Sequence, residues 1–90
     1  MTKKVVLIVD DDQLIINLYK RLFKIHNCDL LCASTGVQAR DLLKKEAFDL
    51  AVIDVKLPDV DGFELLDMIH ADPKFKRTTV IMFSGFFTDQ

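Results

Sequence analysis

Two short apolar runs, Val5-Val6-Leu7-Ile8-Val9 and Leu50-Ala51-Val52-Ile53, both end in aspartate: Asp10-Asp11-Asp12 follows the first and Asp54 the second. Neither run alternates apolar with polar residues, as a strand with one wet face would. Both read as strands covered on both sides, the situation of a parallel sheet flanked by helices. If the two strands are neighbours, their C-terminal ends bring Asp10, Asp11 and Asp54 into one pocket. Carboxylates gathered that closely repel one another unless a cation sits among them, and hard oxygen donors select Mg2+ or Mn2+. Ions held by one or two carboxylates commonly act on phosphate.

The rest of the composition narrows the possibilities. Ninety residues, half of them apolar, make one small domain that buries only about 60% of its unfolded surface, so every core strand counts. A formal charge of −2 leaves no basic stripe for direct nucleic-acid binding, and Lys20, Arg21, Lys24, Lys44 and Lys45 read as solvated helix faces. No apolar stretch approaches the roughly 20 residues that span a bilayer, and the N-terminus runs straight into a strand without a signal-peptide core, so a cytoplasmic location is expected and no membrane partner. Cys28 and Cys32 lack the spacing of a redox or zinc site and read as free thiols. His26 and His70 fall at the ends of helical segments, where imidazole meets the C-terminal dipole or solvent, and no chemistry is assigned to them.

Strand and helix signals alternate without a linker or repeat. Asp12 caps a helix over about 13–26 that turns Ile15, Leu18, Tyr19, Leu22 and Phe23 inward. A second strand covers 28–33. Ser34 or Thr35 caps a helix carrying Val37, Ala39, Leu42 and Leu43 inward, and the third strand, 50–54, follows. The Pro- and Gly-bearing stretch 55–62 is a loop, in which Asp59 and Asp61 read as solvated loop and helix-start charges. Phe63, Leu66 and Ile69 mark a third helix that Asp72-Pro73 breaks, and Thr78–Ser84 is the fourth strand. Phe83 is assigned to core and edge packing, whereas Phe86 and Phe87 carry no assignment. This β-α-β-α-β-α-β order is that of a parallel α/β sheet, in which ligands bind beyond the carboxyl ends of the strands. Those ends carry Asp10 and Asp11, Asp54, and Ser84-Gly85.

Val-Asp-Asp-Asp after the first strand, Val-Ile-Asp-Val-Lys-Leu-Pro-Asp-Val-Asp-Gly-Phe-Glu-Leu-Leu around Asp54, and Ile-Met-Phe-Ser-Gly at the fourth strand together resemble the receiver domain of two-component response regulators. The resemblance implies a flavodoxin-like (CheY-like), doubly wound sheet with its strands in the order 2-1-3-4. It implies that Asp54 accepts a phosphoryl group from a phosphohistidine on a sensor histidine kinase or a histidine phosphotransfer protein. Asp11 would ligate Mg2+ directly and Asp10 through water, with the backbone carbonyl of Lys56 completing the protein ligands. Ser84 would hydrogen-bond a phosphoryl oxygen, and Pro58 and Gly62 would shape the loop. A domain of this kind is not an enzyme toward other molecules; it catalyses only its own aspartyl phosphorylation and dephosphorylation.

The resemblance also implies elements that residues 1–90 do not supply: a fifth strand ending in a lysine that pairs with the phosphoryl group, and a fifth helix. If these 90 residues are the whole molecule, two expectations follow. The phosphorylated pocket keeps a net charge of roughly −2, which impairs transfer, and the fourth strand becomes an open edge. A homodimer through residues 78–87 is then expected. The rival reading is a non-phosphorylated interaction module that works through strand-edge dimerisation. A small phosphohydrolase of the aspartyl-phosphate type is disfavoured, because Lys56 stands where a second acid-base aspartate belongs, two residues after Asp54. In that position Lys56 faces the pocket mouth and is a candidate to tune phosphoryl lifetime.

Overall fold

The computed structural model describes residues 3–83. Four five-residue strands, β1 (Val5–Val9), β2 (Asp29–Ala33), β3 (Leu50–Asp54) and β4 (Thr79–Phe83), alternate with helices α1 (Gln13–Ile25), α2 (Gly36–Lys45) and α3 (Gly62–Ala71). The strands form one parallel sheet in the order β2-β1-β3-β4, as the resemblance implied. Ser84, Gly85, Phe86 and Phe87, the last four residues of the segment expected to dimerise, lie outside the described residues.

Apolar residues run unbroken along β1 because each face has its own cover. Leu7 and Val9 join Ala39 and Leu43 of α2 and Leu65 and Ile69 of α3 on one side, while Val6 and Ile8 meet Ile16, Tyr19 and Phe23 of α1 on the other. Leu7, Ile8, Val9 and Ile53 have no solvent exposure at all.

The helix faces correct the sequence reading in several places. In α1 the inward residues are Ile16, with Tyr19 and Phe23 packed beside it, whereas Leu18 and Leu22 point outward at 61% and 45% exposure. Both sets satisfy the helical repeat, and the set holding the two aromatic rings, stacked 6.1 Å apart, is the one packed against the core, since aromatic rings remove more area from water. In α2 the buried set is Gly36, Ala39 and Leu43, with Leu42 half-buried and Val37 exposed. In α3 it is Gly62, Leu65 and Ile69, which leaves Phe63 half-exposed.

The helix ends follow their capping chemistry. Asp12 accepts from the Leu14 N–H at 2.9 Å, and Thr35, not Ser34, caps α2 through the Gln38 N–H. Asp61 and Glu64 form a reciprocal capping box that starts α3. Asp72 closes α3 and at once caps a single 3-10 turn, Pro73–Phe75, unforeseen from the sequence. That turn buries Phe75 against Phe48, ring centroids 6.4 Å apart.

Candidate functional site

The pairing of Val9 with Ile53 sets the ends of β1 and β3 side by side, so the residues that follow must share one space. Asp10 is 2% exposed and Asp54 8%, and Asp11 stands exposed beside them. One carboxylate oxygen from each of Asp10, Asp11 and Asp54 lies within 4.8 Å of the others, a group that could hold a metal ion. Together with Asp12, Ile15, Lys56 and Phe83 they line a cavity of about 400 Å³.

Buried carboxylates need partners. Asp10 Oδ1 accepts the Asp12 N–H at 2.9 Å, and Asp54 Oδ1 accepts the Lys56 N–H at 3.0 Å. These bonds only partly offset the burial. The Asp10 carboxyl is raised above its ordinary pKa first by desolvation, against the pull of the Asp12 N–H, and then by the charges of Asp54, Asp11 and Asp12. Asp54 is raised likewise, by desolvation and then by Asp11, against the Lys56 N–H. Hard oxygen donors, mutual repulsion and incomplete compensation are what a divalent cation would satisfy, so the residues present fit Mg2+.

The segment after Asp54 is folded back on itself. Val55 N–H donates to the Phe83 carbonyl at 2.8 Å, tying the segment to the end of β4, and Gly62 N–H returns to the Val55 carbonyl at 2.7 Å. Gly62 is there because nothing larger fits: a Cβ would lie 2.4 Å from the Asp54 carbonyl oxygen and 2.9 Å from the Val55 Cα. Lys56 pairs with Asp61 in a short antiparallel bridge across the loop.

Asp59 departs from the sequence reading. It is exposed, yet it is not a merely solvated loop charge: its Oδ1 accepts the Gly36 N–H at 2.7 Å and its Oδ2 the Val37 N–H at 3.0 Å, at the N-terminus of α2. Its carboxyl is held below the ordinary range, chiefly by the Gly36 N–H, then by Val37 and, more weakly, by Arg40. Asp61, by contrast, starts α3 as expected. Asp59 could not be read from sequence, since its partners are 22 and 23 residues upstream.

His26 closes α1 and His70 lies in the last turn of α3; helix C-termini in this topology lie at the end of the sheet opposite the aspartates. No helix among the described residues is long and apolar enough to cross a membrane.

The family model described as "Response regulator receiver domain" matches residues 6–90. The polar-differentiation response regulator DivK of Brucella ovis is 30% identical over 86 residues, which span 96% of this chain and 69% of DivK. Among solved structures, a CheY-like response regulator receiver domain protein from Methanospirillum hungatei superposes with a TM-score of 0.87 at 32% identity, covering 98% of this chain and 69% of that one. The phosphorylated cyanobacterial phytochrome response regulator RcpA superposes with a TM-score of 0.84 at 25% identity, covering 98% and 69%.

Proposed function

The chain belongs to the response regulator receiver family, a group of two-component signalling modules, and from that premise we propose that it is a phosphoacceptor working through Asp54. The observation that carries this reading is the meeting of Asp54 with Asp10 and Asp11 at the ends of β1 and β3. The donor is a phosphohistidine of a sensor histidine kinase or a histidine phosphotransfer protein. Such partners place the module in the cytoplasm.

In the transfer, a carboxylate oxygen of Asp54 attacks phosphorus. The new O–P bond forms as the N–P bond breaks, and the imidazole nitrogen keeps the electron pair and takes up a proton. Asp54 must be ionised to attack, although burial and Asp11 favour its protonated form. The Lys56 N–H steadies one of its oxygens and leaves the other to act. Asp10, Asp11, Asp54 and the Lys56 carbonyl would hold Mg2+, which when bound supplies positive charge against the repulsion between carboxylate and phosphoryl oxygens. Ser84, directly after β4, would donate its hydroxyl to a phosphoryl oxygen. RcpA, similar in fold, is itself a phosphorylated protein, which supports the reading.

Incubation with Mg2+ and acetyl phosphate, followed by intact-mass measurement, tests it. The expected result is a single phosphoryl adduct that is absent from Asp54→Asn; an adduct of equal yield in that variant would exclude Asp54 as acceptor. A second reading, pairing of two copies along β4, has one observation in its favour: Ile81 is 49% exposed on a strand whose outer edge has no paired strand among the described residues. A monomeric mass by light scattering across micromolar concentrations removes it.

A further inference from the structure

The segment that follows Asp54 is anchored at three places, and they differ in kind. Near Asp54 the anchors are backbone bonds, Val55 to Phe83 and Gly62 to Val55. At the α3 end the anchor is the Asp61–Glu64 capping box. The far tip, Pro58-Asp59-Val60, is fastened to a different element altogether. The Asp59 carboxylate takes the first two amides of α2, while Thr35 takes the third, that of Gln38. The contact is close enough that Gly36 has no room for a side chain: a Cβ there would sit 2.1 Å from a Val60 methyl and 3.0 Å from Asp59 Oδ1. One step further on, Arg40 of α2 meets Glu64 of α3 at 3.3 Å.

A helix N-terminus offers unpaired N–H groups and the positive end of a dipole, and nearby side chains ordinarily fill it. Thr35 already does so locally. That a loop residue 23 positions away in sequence supplies both oxygens to the remaining two amides therefore fixes the loop as much as the helix. Lys56, whose N–H positions Asp54 and whose carbonyl faces the metal in the proposed function, lies three residues before this anchor.

We propose that Asp59 is a positioning residue: by clamping the tip of the 55–62 loop to the N-terminus of α2, it holds Lys56 in the place that metal binding requires and couples the acceptor pocket to α2. The proposal rests on the metal-dependent reading of Asp54 above. The coupling is reciprocal, so metal in the pocket tightens the Asp59 clamp.

The test is a Mg2+ titration of the 15N-labelled 90-residue chain, followed at the amides of Asp11 and Lys56 for affinity and at Gly36 and Val37 for coupling. Wild type should bind and should slow hydrogen exchange at Gly36 and Val37 on binding. Asp59→Ala should weaken Mg2+ about tenfold, the low end for groups that support ligands from behind, and abolish the response at Gly36 and Val37. Asp59→Asn, which keeps an acceptor without the charge, should fall between them and serves if the alanine variant does not fold. Thr35→Ala frays the same helix without releasing the loop, so its affinity should stay within about twofold of wild type. An affinity for Asp59→Ala equal to wild type overturns the proposal. So does an equal loss in Thr35→Ala, which would mean that helix stability alone is at work. Absence of Mg2+ binding in wild type would instead remove the metal-dependent reading, and this one with it.

Discussion

Replacing Gly62 with alanine sets two effects of opposite sign against each other. Gly62 is the first residue of α3, and on helix propensity alone alanine stabilises by up to about 1 kcal/mol. Sterically the change is unfavourable. The new Cβ would lie 2.4 Å from the Asp54 carbonyl oxygen, against an ordinary carbon–oxygen contact of about 3.3 Å, so the loop or the end of β3 must yield by about 0.9 Å. The nearest atoms are all backbone of Asp54 and Val55, so no rotamer change relieves the overlap. Overpacking of this kind costs about 1–3 kcal/mol, and the displacement also strains the Gly62–Val55 hydrogen bond of 2.7 Å, at about 1 kcal/mol. The net expectation is a destabilisation of about 2 kcal/mol, or a fall in Tm of about 10 °C for a domain of this size. Urea unfolding followed by circular dichroism measures it directly, with an unchanged m-value to certify the same two states. Phosphorylation by acetyl phosphate in the same variant should slow by about 10- to 100-fold, since the atoms displaced are those that carry Asp54. A variant as stable as wild type, or more so, refutes the steric account and leaves propensity in command.

The remaining expectations concern charge and packing. Because Asp10 and Asp54 have raised pKa values in the folded protein, the native state binds protons more tightly than the unfolded chain, and stability falls as pH rises from the ordinary 3.8 through the raised values. Asp54→Asn should therefore be more stable than wild type in metal-free buffer at neutral pH, with the advantage fading below pH about 4; denaturation midpoints across pH check the sign. Mg2+ at about 100 times its dissociation constant should stabilise wild type by about 2.7 kcal/mol, and Asp11→Ala/Asp54→Ala not at all, as read from Tm with and without chelator. Ile16→Ala should cost about 2–4 kcal/mol, whereas Leu18→Gln on the outer side of α1 should stay within about 0.5 kcal/mol; equal losses in chemical denaturation would contradict the assigned orientation of the helix.

What the sequence discloses about this fold is what depends on short stretches of chain. β1 and β3 announce themselves as doubly covered strands, and the aspartates that end them follow at once. The caps at Asp12, Thr35 and Asp61 are local chemistry, and Asp72-Pro73 stops α3 as written. Helix orientation is less legible, because α1 is apolar on two sides and periodicity alone cannot choose between Ile16, Tyr19 and Phe23 and Leu14, Leu18 and Leu22. The side that faces β1 and β2 is settled only when the sheet is present. Asp59 is the clearest omission in the site. Its role is defined by Gly36 and Val37, far upstream, and a carboxylate in a loop that also holds Asp61 carries no local sign of such a bond.

The covering of both faces of β1 also bears on how the sheet finds its alignment. A strand with one wet face is kept in register by polarity, since a slip of one residue turns its polar side chains inward. In β1 such a slip would merely exchange Val6 and Ile8 with Leu7 and Val9, apolar for apolar. The discriminating groups stand at the margins: Asp49, whose carboxylate takes the Val5 N–H at one end, and Asp10 at the other. Sliding the strand would drag Asp10 between two hydrophobic layers. The carboxylate that meets Asp11 and Asp54 in the finished protein is thus also a stop that tells the folding chain where β1 must halt.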